Sequence, residues 1–210
     1  MLYSGKDLRK LIIPLIIEQI LAIAVGMADT IMVSAAGEAA VSGVSLVDTV
    51  NILLINVFSA LATGGAVVSG HFLGKKKRED ACKSAWQILL FATLLAFVIS
   101  VIFITAHDPL LRLMFGKIED DVMKASKTYL IITTYSFVAL AIYNSCAALF
   151  RAMNESKVTM WVSLLMNVIN VVGNAICIYG LHMGVAGVAI PTTISRYVAA
   201  VCLLYTSDAA

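Results

Sequence analysis

Residues 11–33 read LIIPLIIEQILAIAVGMADTIMV, an apolar stretch that carries two acidic side chains, Glu18 and Asp29. A helix that crosses a bilayer needs about 20 predominantly apolar residues, and this stretch has that length. Five further apolar blocks of similar length follow it. The six predicted spans cover residues 11–33, 44–72, 81–106, 129–150, 160–179 and 185–204. The pattern predicts an all-α polytopic membrane protein, folded as a bundle of six transmembrane helices.

The composition excludes several classes of protein. Of the 210 residues, 60% are hydrophobic and 13% are charged, whereas soluble domains average about 45–50% and about 25%. A soluble enzyme, a disordered chain and a nucleic-acid-binding domain are therefore excluded. The net charge of +2 gives no strong field for polyanions. We expect the lipid bilayer as the main partner, with no nucleic acid, no cofactor and no metal or disulfide framework from the four scattered cysteines.

Basic residues predict the orientation. Three precede the first block, which is too long and too acidic for a cleaved signal peptide. Ten Lys and Arg residues lie in the N-terminal segment and in the second and fourth connections, against four in the other connections. The positive-inside rule then places the N-terminus and residues 75–78 in the cytoplasm, in a multi-pass protein of the plasma membrane. The third connection has apolar residues at helical spacing, at 109–113 and 122–130, which predicts an interfacial amphipathic stretch.

Acidic groups inside a span are candidate functional residues, because a carboxylate at mid-membrane costs at least ~2.5–3.5 kcal/mol. Glu18 and Asp29 are eleven residues apart, about three helical turns. Together with the neighbouring Gln19 they predict a helix that lines a cavity, and Pro14 is expected to bend it.

Two later spans add polar faces. Ser163, Asn167, Asn170 and Asn174 stand at i, i+4, i+7 and i+11, so they share one face of the fifth span. Their oxygens suit a cation or substrate site, and the alternative is hydrogen bonding between helices. In the sixth span, Thr192 offers a hydroxyl ligand. Arg196 is expected either to pair with a carboxylate or to extend to the interface.

Several segments together resemble the multidrug and toxic compound extrusion (MATE) family. The first is GMADTIMVS at residues 26–34, followed by EAAVSGVSL at 38–46. The likeness continues through residues 64–75, through FRAMNESK at 150–157 and through residues 167–180 and 184–192. The order and spacing of these segments extend the resemblance to about residue 201.

The resemblance implies one lobe of a twelve-helix exporter that moves drugs or organic cations by H⁺ or Na⁺ antiport and alternating access. Asp29 matches the coupling carboxylate of the family, while Asn170 and Thr192 match its cation site. Asn174 departs from the pattern, because many relatives have an aspartate there. The resemblance thus implies a C-terminal lobe of the same polypeptide, small amphipathic or cationic substrates, and either a Na⁺ site at Asp29, Asn170 and Thr192 or proton coupling through Asp29.

Two other readings remain open from the residues alone. One is a six-helix permease subunit that works as an oligomer. The other is an intramembrane enzyme, for which Ser69 and His71 form the nearest nucleophile and base. The end of the chain, CLLYTSDAA at residues 202–210, resembles the translation of a sequencing adapter. We therefore expect residues 1–201 to form the lobe and residues 202–210 to be a non-native tail.

Overall fold

The computed structural model of the chain describes residues 5–208. Within this range it is helical and contains no β-strand. The helices are α1 (Gly5–Ser34), α2 (Glu38–Gly74), α3 (Arg78–Thr105), α4 (His107–Phe115), α5 (Asp120–Thr134), α6 (Phe137–Ala152), α7 (Ser156–Ala175) and α8 (Ala186–Asp208). A single π-helical turn, Ile176–Gly180, continues α7.

Five helices are long and apolar enough to cross a membrane: α1, α2, α3, α7 with its π turn, and α8. The pair α5 and α6, which are bent by 52° at a short break, forms one further span and brings the number to six; in chain order it is the fourth. The all-α, six-span prediction is therefore confirmed, and the chain is a multi-pass membrane protein. α1 is one continuous helix through Pro14. α8 runs through residues 202–208, and the predicted non-native origin of that segment stays a prediction.

The fourth span differs from its prediction as one unbroken helix over residues 129–150. Thr134 and Ser136 donate their hydroxyls back to the carbonyls of Leu130 and Thr133, at 2.7 and 2.6 Å. Such bonds favour bending. The Tyr135 carbonyl, which lies at the bend, accepts a hydrogen bond from the Tyr197 hydroxyl of α8 at 2.7 Å. Side chains therefore satisfy backbone that the helix break leaves exposed, as a membrane interior requires.

The predicted amphipathic stretch forms two helices. α4 is a separate short helix, and the first half of α5 has one buried face, with Ser126, Tyr129 and Leu130, and one exposed face, with Lys124 and Thr128. Gly43 of α2 explains the close packing, because a Cβ added there would lie 2.7 Å from the Ala125 Cβ. The Ser126 hydroxyl donates to the Gly43 carbonyl at 3.2 Å. The buried face of this helix is therefore part of the core.

The core centres on α2, which packs against α3, α5 and α6, while α7 packs against α8 and α1. α1 is peripheral. Its apolar side chains are widely exposed, with Ile20 at 60%, Ile23 at 64% and Met27 at 63%. The C-terminal ends of α2 and α6 and the start of α3 lie near Lys75–Arg78 and Arg151, and we call this the basic end of the bundle. Glu18 lies nearer the basic end, and Asp29 nearer the opposite end.

Candidate functional site

Four of the predicted site residues form one chain of hydrogen bonds across three helices. Asn174 Nδ2 of α7 donates to Asp29 Oδ1 of α1 at 2.7 Å, and to Asn170 Oδ1 at 3.3 Å. Asn170 Nδ2 donates to Thr192 Oγ1 of α8 at 2.9 Å. Thr192 in turn donates to the Val188 carbonyl at 2.8 Å. We call this series, Asp29, Asn174, Asn170 and Thr192, the Asp29 chain.

A close approach of α7 to α8 positions the middle of the Asp29 chain. Gly173 precedes Asn174, and a Cβ added at this glycine would lie 2.6 Å from the Pro191 Cβ. Pro191 precedes Thr192 on α8. Any larger residue at 173 would separate the two helices, so the glycine permits the bond between Asn170 and Thr192.

One acceptor at the carboxylate lacks a donor. Asn174 is fully buried, and its Oδ1 atom has no hydrogen-bond partner among the residues that the structure describes. Its Nδ2 atom already uses both hydrogens, on Asp29 and Asn170. An acceptor oxygen beside a carboxylate suits a proton donor or a small cation, because buried polar atoms are normally satisfied.

The structure adds a carboxylate that the sequence analysis did not single out. Asp48 lies ten residues into α2 and is half-buried. Its Oδ1 atom accepts hydrogen bonds from the Tyr129 hydroxyl at 3.0 Å and from Asn51 Nδ2 at 3.3 Å. The signal that identified Asp29, an acid within an apolar span, was also present at Asp48.

Arg196 follows neither expectation for it. Its Nη1 atom donates to Ser136 Oγ at the α5–α6 bend, at 2.8 Å. It is half-buried and has no carboxylate oxygen within 4.0 Å in the described part of the chain. Arg196 lies one helical turn beyond Thr192 on α8, and Val47, beside Asp48, belongs to the core cluster against which Ala28, beside Asp29, is packed. The three charged residues therefore lie in the same region of the bundle.

Glu18 is placed apart from the Asp29 chain, which differs from the expectation that both acids line one cavity. Glu18 Oε1 accepts from Arg151 Nη2 of α6 at 2.9 Å and from the Tyr143 hydroxyl at 3.3 Å. The residue is 7% exposed. Arg151 occupies the last turn of α6, at the basic end of the bundle, and reaches Glu18. The structure therefore makes Glu18 part of a buried ion pair.

The remaining predicted residues also lie outside the Asp29 chain. Gln19 is exposed on α1. Ser163 is buried beside Tyr143. Asn167 is also buried and lies on α7 between Ser163 and Asn170. The Ser69 hydroxyl is buried and has no partner within residues 5–208, whereas His71 is exposed. The nucleophile and base of the enzyme alternative are therefore not paired.

Comparison with known proteins agrees with the fold. The family model MatE matches residues 14–176. The chain belongs to the MATE family. It is 31% identical over 196 residues to YisQ, an uncharacterised transporter of Bacillus subtilis, covering 91% of this chain and 42% of that protein. It is 28% identical to a probable multidrug resistance protein, NorM, of Thermotoga maritima, covering 95% of this chain and 44% of that protein.

Solved structures give the same fold. The chain superposes on the outward-facing conformation of a multidrug resistance MATE family transporter with a TM-score of 0.89 at 24% identity. The match covers 95% of this chain and 44% of that one. The chain therefore spans less than half the length of the relatives that it matches, and its fold is that of one MATE lobe. MATE proteins are transporters and not enzymes.

Proposed function

We propose that the full polypeptide, of which this chain forms the N-terminal lobe, is a secondary active transporter that exports small amphipathic or cationic compounds. Export occurs across the plasma membrane by alternating access, in exchange for H⁺ or Na⁺. The second lobe belongs to the same polypeptide. The basic end of the bundle, with residues 75–78, lies in the cytoplasm together with the N-terminus, as the positive-inside rule favours.

The observation that carries this proposal is the environment of Asp29. The carboxylate lies on α1, the least enclosed span, and its hydrogen-bond partner is the neutral amide of Asn174 at 2.7 Å. A neutral donor stabilises the carboxylate without cancelling its charge. Asp29 is therefore available to a mobile cation.

The mechanism follows from charge in a low-dielectric setting. A carboxylate away from water is penalised in its charged form, so a positive partner at Asp29 is favoured. A proton or Na⁺ and a cationic substrate then compete for one charge. Entry of the coupling ion from outside displaces the substrate, and the membrane potential contributes ~2.3 kcal/mol per charge per 100 mV to that entry. The amide at position 174, in place of a second carboxylate, favours a proton as the coupling ion.

The test uses the full-length protein in proteoliposomes with ethidium as the exported cation. Asp29→Asn keeps the size and polarity of the side chain and removes its charge. We expect ion-driven ethidium export to fall more than tenfold, to the level of empty liposomes, with folding intact by gel filtration. Glu38→Gln, at the exposed start of α2, is the matched control and should transport normally. Unchanged export by Asp29→Asn would refute the coupling role.

A further inference from the structure

Two charged residues outside the Asp29 chain face the same interior and have no role in the mechanism above. Asp48 of α2 is held by Tyr129 at 3.0 Å and by Asn51 at 3.3 Å. Arg196 of α8 is held by Ser136 at 2.8 Å. Both are fixed by neutral groups and are not consumed in an ion pair with each other. Because all three charged residues lie in the same region of the bundle, the charges of Asp48 and Arg196 remain available to act on Asp29.

We propose that Asp48 and Arg196 complete the cation site begun by Asp29, with Arg196 as a built-in counter-charge. Two carboxylates and one guanidinium leave a single net negative charge in the lobe. That charge is neutralised by one monovalent cation, either H⁺ or Na⁺. The inference rests on the proposed antiport, which it deepens by fixing how many cations this lobe takes.

Each helix around the site contributes charged or polar groups to it. α1 contributes Asp29, α2 Asp48, α5 the Tyr129 phenol and α8 Arg196. α7 contributes only the amides of Asn170 and Asn174, and the α5–α6 bend contributes the Ser136 hydroxyl. A second carboxylate is therefore present in this lobe, but it lies on α2 and not at position 174 of α7.

Two unpaired acceptors point independently to a bound cation. Asn51 is 2% exposed and Asn174 is fully buried. The amide nitrogen of each donates to one of the two carboxylates. The amide oxygen of each lacks a donor within the described residues. Each carboxylate thus has an unsatisfied neutral oxygen beside it, which is the type of ligand that alkali cations and protonated groups take.

Arg196 explains why one cation is sufficient. Two carboxylates that share a low-dielectric site cannot both remain charged without a positive group, because like charges raise the cost of each other's ionisation. A fixed guanidinium, which stays protonated, neutralises one of them permanently. The exchangeable cation then neutralises only the other carboxylate.

The experiment measures the ratio of cations exchanged per ethidium exported by the full-length protein. The ratio is obtained in proteoliposomes from the ion gradient that just stops net flux. Arg196→Gln should raise this ratio by one, since two carboxylates then need external cations. Asp48→Asn should lower it by one, because Asp29 and Arg196 balance each other. The double variant restores a single net charge, and its ratio should return to the wild-type value.

Glu38→Gln is again the control and should leave the ratio unchanged. Single variants that fold, by gel filtration and ethidium binding, but keep the wild-type ratio would overturn the proposal. So would a folded double variant whose ratio departs from wild type. If the single variants do not fold, the double variant decides, since it removes both buried charges together. Its failure to fold would assign the pair a purely structural role and also overturn the proposal.

These outcomes are separable from those of the antiport proposal. If Asp29→Asn abolishes export but Asp48→Asn and Arg196→Gln keep the wild-type ratio of cations to ethidium, only the counter-charge inference fails. If Asp29→Asn exports normally, the antiport proposal itself fails.

Discussion

Glu18 and Asp29 are two acids on one helix, eleven residues apart, and they have opposite kinds of partner. Glu18 meets the guanidinium of Arg151 at 2.9 Å, with Tyr143 as a second donor. Asp29 meets the amide of Asn174 at 2.7 Å. The first carboxylate has a fixed cation, whereas the second is bonded by a neutral group. A carboxylate that is already paired anchors α1, while one without a fixed cation can exchange a mobile one.

The largest effect that this comparison predicts is on stability at the basic end. Arg151→Ala would leave the Glu18 carboxylate buried without its cation, since the Glu18 side chain is 10% exposed and that of Arg151 31%. Removing one member of a buried pair costs ~3–5 kcal/mol, and the partial exposure of Arg151 favours the low end, about 3 kcal/mol. The measurement is denaturant unfolding of the full-length protein in detergent micelles.

The control for that experiment is an ion pair in water. Lys77 and Asp80 are 3.9 Å apart, and their side chains are 62% and 45% exposed. Lys77→Ala should therefore change the free energy of unfolding by no more than ~1 kcal/mol. Equal losses in Arg151→Ala and Lys77→Ala would show that the Glu18 pair does not anchor α1.

Much of the fold could be predicted from the sequence, because hydropathy alone determines where helices cross a bilayer. The break in the fourth span could not. Thr134 and Ser136 look like ordinary polar residues in an apolar run, and the bend depends on Tyr197 bonding the Tyr135 carbonyl from another helix. Long-range bonds of this kind leave no periodic signal along the chain.

The candidate site was partly predictable for the same reason. Helical spacing placed Asn170 and Asn174 on one face, and the structure joins both to Asp29 and Thr192. Spacing also placed Glu18 on the face of Asp29, but it could not identify Arg151, which lies 133 residues later, as the partner. Residues on one face of a helix point in a common direction. The partner of each residue depends on which other helix packs against that part of the face.

A smaller effect would sharpen the comparison at Asp29. Asn174→Asp replaces the neutral partner with a second carboxylate, and Na⁺ between two carboxylates relieves their repulsion. The Coulomb attraction of unit charges 4 Å apart is ~4 kcal/mol near a protein surface. Desolvation offsets much of it, so we expect Na⁺ to bind about tenfold more tightly, which corresponds to ~1.4 kcal/mol. The measurement is the Na⁺ concentration that half-saturates ²²Na⁺ binding to the purified full-length protein.

The matched variant for that change is Asn167→Asp. Asn167 is on the same helix and is also buried, but it does not belong to the Asp29 chain. It should leave the half-saturating Na⁺ concentration within about twofold of wild type, since charges further apart interact less. An equal gain in both variants would indicate a general effect of added negative charge and would contradict a site centred on Asp29.

The smallest expected effect concerns a carboxylate outside the spans, Asp108 of α4, which has a fixed cation like Glu18 but lies in water. Lys127 Nζ donates to Asp108 Oδ2 at 3.0 Å, and this bond lowers the pKa of Asp108 below its usual 3.8. A carboxyl group with a lowered pKa in the folded state contributes stability above its unfolded pKa, and that contribution disappears as the pH falls through the lower folded value. The difference in melting temperature between wild type and Asp108→Asn should therefore be small and constant from pH 5 to pH 7, and should shrink below about pH 3.8. A difference that grows on acidification would mean that Lys127 does not stabilise the charged form of Asp108. The exposed pair of Asp108 would then not be a weaker version of the buried pair of Glu18.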